Sequence, residues 1–467
     1  MIVQKTGIRN RLGLSPQILV ALSFLAAFLL GAFLLALPFS HVSGAWGGFV
    51  DSLFLATSAV CVTGLSPYPD LSVEFSVFGQ VVLLLLAQLG ALGIMTLGTF
   101  IIELVGRRAS MKEEQMLMGS LGVSTRGRVN TILLGAIGFT VFWEVLGSLV
   151  LAFRFHGAYG YAPLKAAYYG VFHAVSGFCN AGLTLYPDSL QHFAADPVVL
   201  LMEAFLILVG GIGFVVHNNV LACRPWRRDR TRRGRLTLHS RIVLWMTLLL
   251  VLCGTLFYGL VERHGVFRDV PLWQSWLGAF FKTVTTRTCG FAASDEMAYG
   301  GFSRMVSMVL MLIGGAPGST AGGLKVTTLV VLMATVSSMI RNREECEIGH
   351  RTIPMRIVRE SIAILVLGAA VLLAEVVLLH CAELHSPEFF PNHDRGLSLR
   401  LVYEAVSACG TVGLSLNVTP KVTPLSKVFL LFAMLIGRLG PLTVATLIGG
   451  SMQGTPRRYP EEGVVVG

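Results

Sequence analysis

Four short stretches of this chain share one pattern of residue types. They read Ser58-Ala-Val-Cys-Val-Thr-Gly64-Leu-Ser, Ser176-Gly-Phe-Cys-Asn-Ala-Gly182-Leu-Thr, Val284-Thr-Thr-Arg-Thr-Cys-Gly290-Phe-Ala and Ser407-Ala-Cys-Gly-Thr-Val-Gly413-Leu-Ser. Each ends in Gly, then Leu or Phe, then a small residue, and the glycines are 118, 108 and 123 residues apart. The stretches are poor in charge and rich in Thr, Val, Ala and Cys, so their regular polar groups are backbone carbonyls. Gly admits the positive φ that turns such carbonyls toward one line. Carbonyls gathered from four stretches can replace the hydration shell of a cation. The candidate ligands are Val62, Thr63 and Gly64; Asn180, Ala181 and Gly182; Thr288, Cys289 and Gly290; and Thr411, Val412 and Gly413. A dehydrated monovalent cation fits this chemistry best. Read as ordinary surface loops, the four leave their common pattern unexplained.

The elements that must position them are membrane helices. Of 467 residues, 54% are hydrophobic and 13% charged, with a mean hydropathy of +0.71; soluble chains carry about 25% charged residues. That excludes a soluble enzyme, a disordered chain and a secreted disulfide scaffold. Eight long apolar segments, 17–39, 76–104, 130–153, 198–222, 241–261, 302–340, 357–381 and 425–450, can each cross a bilayer of about 30 Å. Short half-apolar segments at 46–58, 163–176, 272–284 and 397–408 lie between alternate pairs and lead into the four glycine stretches. The expected fold is an all-α polytopic membrane protein with four membrane–pore-loop–membrane repeats around one axis. The repeats run 1–105, 106–223, 224–345 and 346–467, the last ending in a short tail. Non-helical backbone at membrane depth survives only where it lines a cavity or packs in protein, so the four re-entrant segments should meet. The C-terminal ends of the short helices would then also favour positive charge there.

The net charge of +10 invites nucleic-acid binding in a soluble chain, but loop bias explains it better. With both termini inside, the cytoplasmic segments hold 23 Lys and Arg and the outer ones 11, as the positive-inside rule requires. The eight cysteines form no C-x-x-C pair, which argues against zinc or a disulfide framework. No H-E-x-x-H, G-x-S-x-G or paired-Asp motif occurs, so an enzyme is not expected, nor any covalent cofactor. A secondary permease for another solute would show inverted repeats; these repeats all run the same way.

The segment 302–340 is too long for one span and breaks at Gly314, Gly315, Ala316, Pro317, Gly318, Ser319, Thr320, Ala321, Gly322 and Gly323, since Pro and Gly both disfavour helix. It reads as a mobile loop that blocks the path under the carbonyl stretches, or else as a static kink that lets helices pack. Its spacing to Lys325 does not fit a phosphate loop. Arg438 lies inside an apolar helix, where a charge is a functional hypothesis by default. On the axis it would repel cations; paired, it would only pack, and Lys325 has a similar standing. Arg287 is expected to turn away from the axis toward carbonyls or a carboxylate. Glu103, Glu144, Glu203, Glu375 and Glu404 receive no role, and His173 and His217 read as structural.

These stretches resemble the superfamily of K⁺ transporters that includes TrkH, KtrB and the plant HKT proteins, over nearly the whole chain. Gln88-Leu-Gly-Ala-Leu-Gly-Ile-Met-Thr, Ile313 to Lys325 and Ile436-Gly-Arg-Leu-Gly-Pro-Leu-Thr443 carry the match further, the last two toward the KtrB branch. The resemblance implies K⁺ uptake across the cell membrane, with potassium bound at Gly64, Gly182, Gly290 and Gly413 and their neighbours. A Gly rather than Ser at position 64 implies K⁺ conduction. A Na⁺ or other monovalent-cation transporter of the same fold is the alternative, and Na⁺ stays open as a coupling or activating ion. The resemblance also implies a homodimer on a cytosolic ring of KtrA-like nucleotide-binding subunits, and it favours the barrier role of Arg438.

Overall fold

The computed structural model describes residues 16–104, 129–223, 236–343, 345–386, 389 and 398–449, and all their side chains except those of 16–20, 93–104, 129–134 and 446–449. Segments 1–15, 105–128 and 450–467, with most of 223–241, lie outside the described residues, and the side chains of Glu103 and of 93–96 at the end of the Gln88–Thr96 stretch are not described.

Among the described residues each repeat begins with a long apolar helix, continues with a short buried helix and ends with a second long segment. The first repeat comprises α1 (Pro16–Ala36), α2 (Phe49–Val60) and α3 (Val77–Leu104). The second comprises α4 (Val129–Tyr159), α5 (Pro163–Cys179), α6 (Pro197–Ile212) and α7 (Phe214–Cys223). The third comprises α8 (Leu238–Val261), α9 (Leu272–Thr285), α10 (Gly301–Leu312) and α11 (Val326–Ile340). A two-stranded hairpin, Glu347–Ile348 with Arg351–Thr352, precedes the fourth. That repeat comprises α12 (Met355–Ala382), α13 (Leu399–Gly410), α14 (Pro424–Leu439) and α15 (Pro441–Gly449). The four short helices α2, α5, α9 and α13 coincide closely with the half-apolar segments of the sequence.

Of the eight expected long segments, 302–340 breaks as expected, and 198–222 and 425–450 break where the sequence reading had them continuous. Gly135–Tyr159, Leu238–His264 and Met355–Ala382 are uninterrupted, long and apolar enough to cross a bilayer. The last segments of repeats two, three and four are each broken. The break of 302–340 falls where Pro317 and the glycines place it, between Leu312 and Val326. The segment 198–222 bends by 91° at Gly213, whose φ of +83° ends α6. The segment 425–450 breaks at Gly440, φ +86°, with Pro441 behind it. A left-handed Gly stops a helix at little steric cost, and Pro at N1 starts the next.

The short helices are the core. Phe54, Phe172, Phe281 and Tyr403 occupy corresponding positions on them, nine or ten residues before each glycine, and are fully buried. The outer helices present Leu29, Phe33, Leu85, Phe142, Leu249, Leu252, Val366 and Leu373 outward, apolar faces suited to lipid.

Candidate ion filter and the loop beneath it

The four glycines form a closed ring in chain order. A Cβ placed on Gly64 would overlap the carbonyl oxygen of Ala181; on Gly182, that of Cys289; on Gly290, that of Val412; and on Gly413, that of Thr63. Each glycine thus abuts the carbonyl one residue before the next repeat's glycine, and the ring returns to its start. All four glycines have φ between +61° and +96°. Two residues earlier, Val62, Asn180, Thr288 and Thr411 are also left-handed, with φ of 56°, 62°, 71° and 49°. For β-branched Val and Thr this conformation is an outlier held only by its surroundings. Left-handed residues alternating with ordinary ones swing successive peptide planes, so the carbonyls of each stretch can face one line. Every candidate filter residue from the sequence is therefore brought to one place.

The short helices hold this backbone from behind. The Ser58 and Ser407 hydroxyls accept hydrogen bonds from the N–H of Gly64 (3.1 Å) and Gly413 (3.0 Å). In the other two repeats the hydroxyl donates instead: Ser176 to the Leu183 carbonyl and Thr285 to the Phe291 carbonyl, each at 2.7 Å. The second long helices press against the same helix ends through glycines to which the sequence reading gave no role, although Gly90 and Gly437 lie in stretches that carry the resemblance. A Cβ on Gly90, Gly210 or Gly437 would overlap the carbonyl of Val60, Phe178 or Cys409 respectively. The signal was a glycine 24 to 28 residues after each filter glycine.

On one side of the ring lies a mouth cavity of about 480 Å³. All four filter glycines line it, with Tyr68, Asp188, Asp295, Glu296 and Asn417 among its other walls, and among the described residues no Lys or Arg does. Glu296 is paired with buried Lys282 at 2.5 Å and accepts from the Tyr403 hydroxyl at 2.9 Å. Among the described residues no ion pair engages Asp188 or Asp295. Burial, helped by Asp51 and Glu74, pushes the Tyr68 phenol up to about 12, so it stays a neutral donor at the mouth.

On the other side, the expected gate loop lies directly under the ring. Thr411 Oγ1 sits where a Cβ on Gly322 would be, and the Thr320 hydroxyl donates to the Phe178 carbonyl at 3.3 Å. The loop's ends run side by side: the Gly314 N–H donates to Leu324 and the Leu324 N–H to Leu312. Its N–H groups at Ala316 and Thr320 donate to Gly211 and Gly210. They thereby cap carbonyls at the end of α6 that a helix terminus leaves without partners. Arg438 is buried and donates to the Thr320 carbonyl (2.5 Å) and the Gly90 carbonyl (2.7 Å). Arg287, also buried, turns from the ring toward the Gly314 carbonyl, 3.5 Å away. Pro317 to Ala321, Gly323, Lys325 and Arg438 line a cavity of about 460 Å³ that, among the described residues, has no Asp or Glu in its wall and shares no residue with the mouth. Gly213 and Gly440, the two unexpected breaks, open onto it.

A four-part ring of left-handed glycines, closed on itself inside a helical membrane fold, defines a cation-transport architecture. Residues 22–452 match the family described as TrkH, cation transport protein, and the chain belongs to that family, one of transporters and not of enzymes. It is 33% identical over 457 residues to the Ktr system potassium uptake protein B of Vibrio alginolyticus, covering 97% of this chain and 95% of the relative. It is 32% identical over 470 residues to the potassium/sodium uptake protein NtpJ of Enterococcus hirae, covering all of both. The crystal structure of the potassium transporter TrkH from Vibrio parahaemolyticus matches with a TM-score of 0.68 at 18% identity, over 95% of this chain and 86% of that one. This is a multi-pass membrane transporter with four membrane–pore–membrane repeats.

Proposed function

We propose that this chain takes K⁺ into the cell through the ring at Gly64, Gly182, Gly290 and Gly413. The closed ring is the observation that carries the reading. It aligns four charge-poor carbonyl stretches in chain order, and carbonyl rings of this kind are ligands for a dehydrated monovalent cation. The relatives named for potassium uptake support K⁺ as the ion. In this reading both termini are cytoplasmic, as the Lys and Arg bias favours, so the acidic mouth faces outside and the loop faces the cytosol.

The loop Gly314–Gly323 acts as the gate, with Lys325 and Arg438 adding a positive barrier beneath the filter. The loop's position between two cavities that share no wall residue supports this role. A nucleotide-binding cytosolic ring and a homodimer complete the assembly, in keeping with the Ktr-system relatives, and the potassium/sodium relative supports Na⁺ as a second ion. The test is Rb⁺ uptake by vesicles containing the purified protein, with and without Na⁺ and a cytosolic partner fraction. Uptake that K⁺ competes away is expected; vesicles that take up Na⁺ and Rb⁺ alike would end the K⁺ reading.

A further inference from the structure

Three consecutive carbonyls of the gate loop are held by the protein's own cations. Arg438 Nη1 donates to the Thr320 carbonyl at 2.5 Å. Lys325 Nζ donates to the Ala321 carbonyl at 2.5 Å and reaches the Gly322 carbonyl at 3.5 Å. This cluster is one layer below the filter, because Gly322 packs on Thr411 and Thr320 bonds to the end of α5. We propose that the carbonyls of Ala321 and Gly322 are a binding site for the transported monovalent cation, occupied in this conformation by the Lys325 ammonium as a tethered substitute. The inference rests on the conduction path proposed above.

The chemistry of the two occupants is alike. A lysine ammonium is a compact point charge with three donors, and backbone carbonyls are the ligands that replace a cation's water in a filter. Among the described residues the surrounding wall offers Lys325 no carboxylate, and these carbonyls compensate it for leaving water. If the ammonium withdraws, Ala321 and Gly322, both buried, lose their donor. Buried unpaired carbonyls are costly, and a cation arriving from the filter satisfies them. The exchange leaves the charge of the cavity unchanged, one monovalent cation for another. Arg438 is not displaced in this exchange. Its planar fork is tied at two points, to Thr320 and to Gly90 on α3.

Chemical rescue tests the site. In vesicles holding the full chain, Lys325→Ala should raise Rb⁺ leak about tenfold as the blocked population falls. Butylammonium on the cytosolic face should return it to within about twofold of the parent, by refilling the carbonyls. Tetramethylammonium, with the same charge and no N–H donor, should not. Block by both ions, or by neither, overturns the proposal. A second variant, Lys325→Met, is read by Tl⁺ anomalous scattering. The parent should show Tl⁺ at the filter alone, and the variant one further peak beside the carbonyls of Ala321 and Gly322. Filter peaks without that further peak overturn the site, as does a loop displaced from under the ring, since the lysine would then be a fastener. Absence of Tl⁺ from the filter of the parent would instead refute the conduction path itself.

Discussion

The two sides of the glycine ring are opposites in charge. Among the described residues the mouth has three carboxylates in its wall and no Lys or Arg, while the cavity beneath has Lys325 and Arg438 and no carboxylate. In a wall of low dielectric such charges act over several ångströms, so in the proposed conduction path a cation would be drawn to one side and turned back on the other. Even within the mouth the charges differ: Glu296 is bound to Lys282 and Tyr403, whereas Asp188 and Asp295 are free to meet ions. In the proposed function, this contrast divides the work: choice of ion falls to the ring and mouth, and timing of passage to the loop. The two assignments are separable by experiment.

The largest effect should come from the ring. Gly64→Ser adds a Cβ where the Ala181 carbonyl stands, at a φ of +91°. The ring must open at that joint, and K⁺-over-Na⁺ discrimination should fall by roughly two orders of magnitude, equivalent to about 2.7 kcal/mol. Uptake of Rb⁺ and Na⁺ measured side by side reads this ratio; an unchanged ratio would remove the ring from selectivity. Shortening 315–322 should act on the other assignment, raising basal Rb⁺ flux about tenfold while the ion ratio holds. Loss of flux with intact protein would make the loop a structural brace, since its N–H groups cap α6.

The ring was legible in the sequence because one pattern recurs four times at near-equal spacing, which local noise does not produce. The loop was legible because Pro317 stands among five glycines within ten residues. The breaks at Gly213 and Gly440 were not. Each is a single glycine between apolar runs, and a lone glycine is tolerated inside a helix at a cost of about 1 kcal/mol. Only packing decides between tolerance and rupture there. At Gly213 the Gly318 carbonyl crowds the missing Cβ, a contact between residues 105 positions apart that no local pattern encodes. The role of Gly90, Gly210 and Gly437 was hidden for the same reason: each answers to a carbonyl on a different helix.

Arg438 links the two assignments and should give a smaller effect than the loop. Arg438→Ala removes a full positive charge and both ties, to Thr320 and to Gly90. Outward and inward Rb⁺ flux should both rise, by about threefold to fivefold, with the ion ratio kept. An Arg438→Lys variant should recover part of the barrier, because the charge returns while the two-point grip does not. Equal fluxes in all three proteins would reduce Arg438 to packing.

The mouth should give the smallest effect, and salt gives it a signature. Asp188→Asn with Asp295→Asn removes the two carboxylates without ion-pair partners but keeps an acceptor for the Met297 N–H that Asp295 caps. The double variant should lower Rb⁺ uptake about twofold at low ionic strength, since both groups are exposed and surface charges concentrate ions only modestly. At about 1 M inert salt, where the screening length is near 3 Å, the difference should vanish. A loss that survived high salt would mean that the carboxylates bind the ion directly, and selection would then begin in the mouth before the ring.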